Sequence, residues 1–90
     1  VARTWEADPS ASFAKRLGKP ARELGNSDGE DECPDIWLLD NGDVAVIGRD
    51  LTSAYESRLP EGVALGADER LVVIPGAMLS AAKPDITDAV

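Results

Sequence analysis

Two short apolar runs, Ile36 to Leu39 and Val44 to Ile47, stand either side of the polar tetrad Asp40-Asn41-Gly42-Asp43. An Asn-Gly pair between apolar runs is the strongest short-range signal for a β-hairpin. A two-residue type I′ turn needs positive φ at both central positions, and Asn and Gly tolerate it best. Counting outward from such a turn, Asp40 faces Asp43, Leu39 faces Val44, Leu38 faces Ala45, Trp37 faces Val46 and Ile36 faces Ile47. Side chains alternate across a strand. One face therefore carries Ile36, Leu38, Ala45 and Ile47, and the other Trp37, Leu39, Val44 and Val46. Both faces are apolar, so the rest of the chain has to cover both.

The flanking pattern supplies short elements. Ser10 to Leu17 reads as a helix, with Ser10 as N-cap, Phe13 and Leu17 four apart on one face, Lys15 and Arg16 near the end, and Gly18 as the stop. Residues 26–32 read as an acidic loop, and Cys33-Pro34 opens the first hairpin strand. Leu51, Tyr55 and Leu59 form a helical stripe that Pro60 ends, with Asp50 and Thr52 as candidate caps. Arg70 to Ile74 reads as a third strand, apolar on both faces and so expected to be well covered. Ala77 to Ala82 reads as a helix anchored by Met78 and Leu79 and closed by Pro84. Residues 1–9 and 85–90 read as loose tails, with Trp5 packing back onto the body.

Together these predict a single α+β domain over residues 1–90. It would hold a small antiparallel sheet of about three strands, the hairpin 36–39/43–48 plus strand 70–74, packed with two to three short helices. The favoured order puts the first hairpin strand in the centre, with strand 70–74 on its far side. The competing arrangement is a meander in which Val63 to Leu65 pairs with strand 70–74 through the Gly66 turn.

Charge changes the picture in one stretch. The chain of 90 residues has a formal net charge of −8. Residues 23–43 hold Glu23, Asp28, Glu30, Asp31, Glu32, Asp35, Asp40 and Asp43 and no Lys or Arg. Phosphate contacts need Lys and Arg, so this middle argues against nucleic acid and anionic membranes. It permits a basic protein partner. The basic cluster Lys15, Arg16, Lys19 and Arg22 reads as solvated or as a counterweight to the acidic loop.

The chemistry inventory is short. The chain has no histidine, which removes the commonest general base and metal ligand. Its one cysteine, Cys33, follows a run of carboxylates that raise a thiol pKa, so it makes a poor nucleophile, and a single cysteine fits a reducing cytosol. Asn26-Ser27-Asp28 begins like a calcium loop, but Gly29 comes too early and the twelfth position is Trp37 rather than Glu. No P-loop spacing exists, and no apolar run is long enough to span a bilayer.

The stretches Cys33-Pro-Asp-Ile-Trp37, Asp40 to Thr52, Leu59-Pro60, Asp68 to Pro75 and Ala81 to Pro84 resemble a group of small uncharacterised actinomycete proteins. The resemblance covers roughly residues 10–86. It implies a bacterial, cytosolic, regulatory or accessory setting, and it brings no catalytic residues to carry over.

The expectation is a non-catalytic, cytoplasmic protein-binding or regulatory module that needs no cofactor. Its candidate binding residues are Trp37, Asp40, Asp43, Glu30, Asp31, Glu32 and Asp35. Its partner would be another protein or a second copy, met through an edge strand, Trp37 or the acidic loop. One alternative is a small-ligand or divalent-metal module using the carboxylates of residues 28–35. Another is an antitoxin- or immunity-like neutraliser of a basic partner.

Overall fold

The computed structural model describes residues 4–25 and 34–89. The hairpin is present, formed by β2 (Asp35–Leu39) and β3 (Val44–Ile47). Its register differs by one residue from the type I′ expectation. Leu38 faces Val44, Trp37 faces Ala45, Ile36 faces Val46 and Asp35 faces Ile47. The cause is the turn. The Leu39 N–H donates to the Asp43 carbonyl at 2.8 Å, and the Gly42 N–H donates to the Leu39 carbonyl at 3.1 Å. Within the turn only Gly42 takes positive φ, at 91°. Asn41 stays out of the left-handed region because its side chain has other work: its Oδ1 accepts the Asp43 N–H at 3.0 Å. The loop is therefore three residues long, a turn followed by a left-handed glycine.

A one-residue slip exchanges the faces of one strand relative to the other. Ile36, Leu38, Val44 and Val46 now share a face, and Asp35, Trp37, Leu39, Ala45 and Ile47 share the opposite one.

The partner on the far side of β2 is not strand 70–74. It is β1 (Phe13–Arg16), antiparallel to β2, in the order β1-β2-β3. The helix expected over Ser10–Leu17 does not form. Asp8 captures the Ser10 N–H at 2.9 Å and the Ser10 hydroxyl at 2.6 Å, which closes a turn instead of capping a helix. An isolated two-turn helix is marginal in water, whereas the open edge of β2 offers ladder bonds along its length. The register shifts between Phe13 and Lys15, a bulge that absorbs Ala14.

Within the stretch expected as a third strand, β5 (Val72–Val73) pairs antiparallel with β4 (Arg49–Asp50) in a separate two-stranded sheet. Thr52 closes this seam: its Oγ1 accepts the Leu71 N–H at 2.8 Å. Val72 and Val73 are each 40% exposed, so the double cover expected for them is missing. Residues 63–65 form no strand. The helix expected over 51–59 appears as α1 (Thr52–Tyr55) running into a 3-10 turn at Glu56–Arg58.

The last helix, α2 (Gly76–Ala89), is longer than its sequence suggests, and residues 85–89 belong to it. Pro84 lies inside it. Pro84 and Ser80, whose carbonyl loses its helical donor, are both exposed, so water can serve that carbonyl. Met78 and Ala82 are buried and Ile86 packs beside them, a spacing of four that marks the inner face. Leu79 points outward. The core is Leu17, Ala21, Ile36, Met78 and Ala82, flanked by Leu24, Leu38, Ile74 and Ile86. α2 thus covers β2 on the Ile36 face.

Gly18 fastens α2 to the end of β1. Its N–H donates to Asp85 Oδ2 at 2.7 Å, and a Cβ there would stand 2.9 Å from the Ala82 nitrogen. Its φ is 83°. Gly18→Ala is expected to cost about 2–3 kcal/mol, from left-handed strain plus displacement of α2. Gly42→Ala meets only open space and is expected to cost about 1 kcal/mol from strain alone. Urea unfolding of the two variants checks the ranking, and equal losses would show that α2 does not sit against Gly18.

Candidate binding surface

The residues picked from the sequence fall into three groups. Glu30, Asp31 and Glu32 lie outside the described residues. Asp40 and Asp43 hold the hairpin tip and the chain before β1. Asp40 Oδ1 accepts the Ser12 N–H at 3.1 Å, and the Asp40 N–H donates to the Ser12 carbonyl at 2.9 Å. Asp43 accepts the Trp5 indole N–H at 3.4 Å and an Asn41 amide N–H at 3.2 Å. Trp5 therefore does reach the body, while staying largely exposed.

The third group is Asp35 and Trp37, and here the sequence reading missed a partner. Asp35 is 7% exposed and belongs to β2 rather than to the acidic loop. Arg16 grips it with two bonds, Nε to Oδ1 at 2.9 Å and Nη2 to Oδ2 at 3.0 Å. Burial pushes the Asp35 carboxyl up. Hydrogen bonds from Arg16, the Trp37 indole and the Ile36 N–H, with the Arg16 charge, outweigh burial and leave its pKa lowered. The Arg16 guanidinium also lies 4.8 Å from the Trp37 ring centroid. Phe13 meets the same ring edge-on at 5.7 Å. The register explains the cluster, because Arg16 pairs with Trp37 and Phe13 with Leu39. An Asp beside Ile-Trp-Leu-Leu is the cue that could have revealed it: a carboxylate in an apolar strand needs a buried cation.

What remains open is β3. Val44, Val46 and Ile47 are 40%, 43% and 43% exposed. The first two share the core face, but α2 does not extend over them. The outer edge is bare as well. Leu39 and Asp43 are a hydrogen-bonded pair, and pairs alternate along an antiparallel ladder. Ala45 and Ile47 therefore bond inward to β2, while the N–H and C=O groups of Val44 and Val46 point away. Among the described residues no backbone group meets them.

The other edge of the sheet is guarded. β1 carries a bulge and a lysine, Lys15, both of which discourage strand addition. β3 has neither. Phe13 is 62% exposed on β1, but it is committed to the Trp37 ring.

A cleft of about 410 Å³ lies between Pro34, Gly48, Leu51 and Val73–Pro75, with Arg49 in its wall. Among the described residues no carboxylate lines it. Among the described residues no group of three or more Cys, Asp or Glu side chains is placed to hold a metal ion. Among them also, no helix is long and apolar enough to cross a membrane. Comparison with protein-family models, curated proteins and solved structures finds no match.

Arg16→Met should destabilise the fold by on the order of 2 kcal/mol, since it leaves the Asp35 charge buried without its cation. The pH dependence follows from the lowered Asp35 pKa. Its contribution is present above the ordinary carboxylate pKa of 3.8 and is lost as pH falls through the lower folded value. Without Arg16, burial prevails and pushes the Asp35 carboxyl up, so protonation then favours the fold and the variant's deficit should shrink as pH falls through the carboxylate range. Urea unfolding across a pH series checks this, and matching curves for variant and wild type would remove the pair from the account.

Proposed function

We propose that this chain is a non-catalytic module that recognises another protein by strand pairing at β3. The observation that carries the reading is the exposed four-residue strand Val44–Ile47, bare along its outer backbone edge among the described residues. Backbone bonds along such an edge supply affinity, and Val44 and Val46 supply apolar contacts on one face. Trp37 serves as a structural ring beneath Phe13 and Arg16, and it stiffens the sheet that presents β3. The neutraliser alternative places the contact on the acidic loop and makes it strongly sensitive to salt, whereas an apolar strand contact is only modestly so.

The test is capture of a partner from extract of the source cells, identified by mass spectrometry and repeated with Val46→Lys and Trp37→Ala. Val46→Lys puts a charge at the edge and is expected to weaken capture at least about tenfold, equivalent to about 1.4 kcal/mol, with an unchanged circular dichroism spectrum. Trp37→Ala is expected to lower thermal stability more than affinity. Undiminished capture by Val46→Lys would rule β3 out as the contact.

A further inference from the structure

We propose that Asn41 is a site of spontaneous deamidation, that the hairpin turn holds the reaction in check, and that conversion undoes the turn irreversibly. What docks at β3 has no bearing on it.

The chemistry needs an Asn side chain and a following residue whose backbone nitrogen lies open to it. Glycine has no Cβ to stand in the way, and Asn is a thermally labile side chain. Asn41 and Gly42 are both exposed, and a Cβ at Gly42 would meet nothing within 4 Å. Water therefore reaches the pair. The Gly42 nitrogen loses its proton to hydroxide or water and attacks Asn41 Cγ. The new N–Cγ bond closes a cyclic imide. The Cγ–Nδ2 bond breaks, and Nδ2 leaves with the electron pair and a proton as ammonia. Water then opens the ring. Addition at Cγ restores the original main chain, with aspartate at position 41. Addition at the former backbone carbonyl leaves isoaspartate, with the main chain routed through Cβ and Cγ.

The fold holds both reacting groups. The Gly42 N–H donates to the Leu39 carbonyl at 3.1 Å, which engages the nucleophile. Asp43 fastens the Asn41 carboxamide at both ends: Oδ1 accepts the Asp43 N–H at 3.0 Å, and Nδ2 donates to Asp43 Oδ2 at 3.2 Å. Ring closure requires the carboxamide to turn its face to the Gly42 nitrogen and the Gly42 N–H to leave Leu39. These bonds sit at the exposed tip, so the opening is local and needs no global unfolding.

Each product removes something the turn relies on. Aspartate at position 41 still accepts the Asp43 N–H. Its other oxygen, however, stands where Nδ2 donated to Asp43, so an attraction becomes like-charge repulsion. Isoaspartate adds a methylene to the main chain inside the three-residue loop and takes away the side-chain acceptor of the Asp43 N–H. The lengthened loop no longer matches the Leu39–Asp43 pair that closes it at 2.8 Å. Isoaspartate is therefore the more damaging product.

The test incubates the folded chain, and the chain unfolded in guanidinium chloride, at neutral pH and one temperature. Peptide mapping then separates Asn41 from Asn26, the only other side-chain amide in the sequence. Asn41 is expected to convert in both, with isoaspartate among the products. Conversion in the folded chain should be at least about tenfold slower, the equivalent of an opening cost of about 1.4 kcal/mol. Asp43→Ala, which releases Nδ2, should raise the folded rate at least about threefold relative to its own unfolded rate. The isoaspartyl chain, isolated and returned to native buffer, should unfold at lower denaturant than both the fresh chain and Asn41→Asp. An Asn41 that survives in the unfolded chain, equal rates in the folded and unfolded chains, or an isoaspartyl chain as stable as the fresh one would each overturn the proposal. An Asp43→Ala rate equal to that of the wild type would overturn the role given to Asp43.

Discussion

The three-residue turn at Asp40-Asn41-Gly42 sets the register on which the rest of the structure depends. It sends Ile36 and Leu38 toward α2 together with Val44 and Val46, and it sends Asp35 and Trp37 to the opposite face with Ala45 and Ile47. A two-residue turn would have put Val44 and Val46 on the Trp37 face instead. The turn is locally determined. Asn41 satisfies the Asp43 N–H with its side chain, Gly42 alone takes the left-handed conformation, and the ladder begins at Leu39 and Asp43.

From that register the two edges of β2 acquire different fates. β1 fills one of them and brings Arg16 to Asp35 and to the Trp37 ring, so a buried carboxylate, a cation and two aromatic rings support one another. Gly18, directly after the core residue Leu17, lets α2 approach and supplies a backbone donor to Asp85. β3 fills the other edge and is left half-clothed, because a single helix of about 10 Å diameter centred on β2 does not reach across three strands. The imbalance is physical: one side of the sheet is stapled, bulged and charged, and the other is apolar and open.

The parts of this arrangement legible in the sequence are those fixed by neighbours along the chain. Asn41-Gly42 announces the hairpin, and the Leu51, Tyr55 and Leu59 stripe before Pro60 announces the turn of helix that follows β4. The α+β class also follows from local pattern, and the sheet has the expected three antiparallel strands, but its third strand is β1 instead of 70–74. What was not legible is decided at a distance. Phe13–Arg16 has helix-compatible spacing, and it becomes a strand because β2 lacks a second partner and Asp8 has taken Ser10. Pro84 looks like a helix end, but it falls on the solvent side, and the packing of Met78, Ala82 and Ile86 carries α2 through it. Among the candidate site residues, Asp35 read as part of an acidic loop: the apolar run after it signals a cation partner, but only the pairing of β1 with β2 makes that cation Arg16, nineteen positions earlier.

The central claim is that β3 presents an open edge among the described residues. Amide hydrogen exchange followed by NMR on the dilute chain tests it most directly. Ala45 and Ile47, bonded to β2, should exchange slowly. Val44 and Val46 should exchange fast. Protection of Val44 and Val46 equal to that of Ala45 and Ile47 would contradict the account.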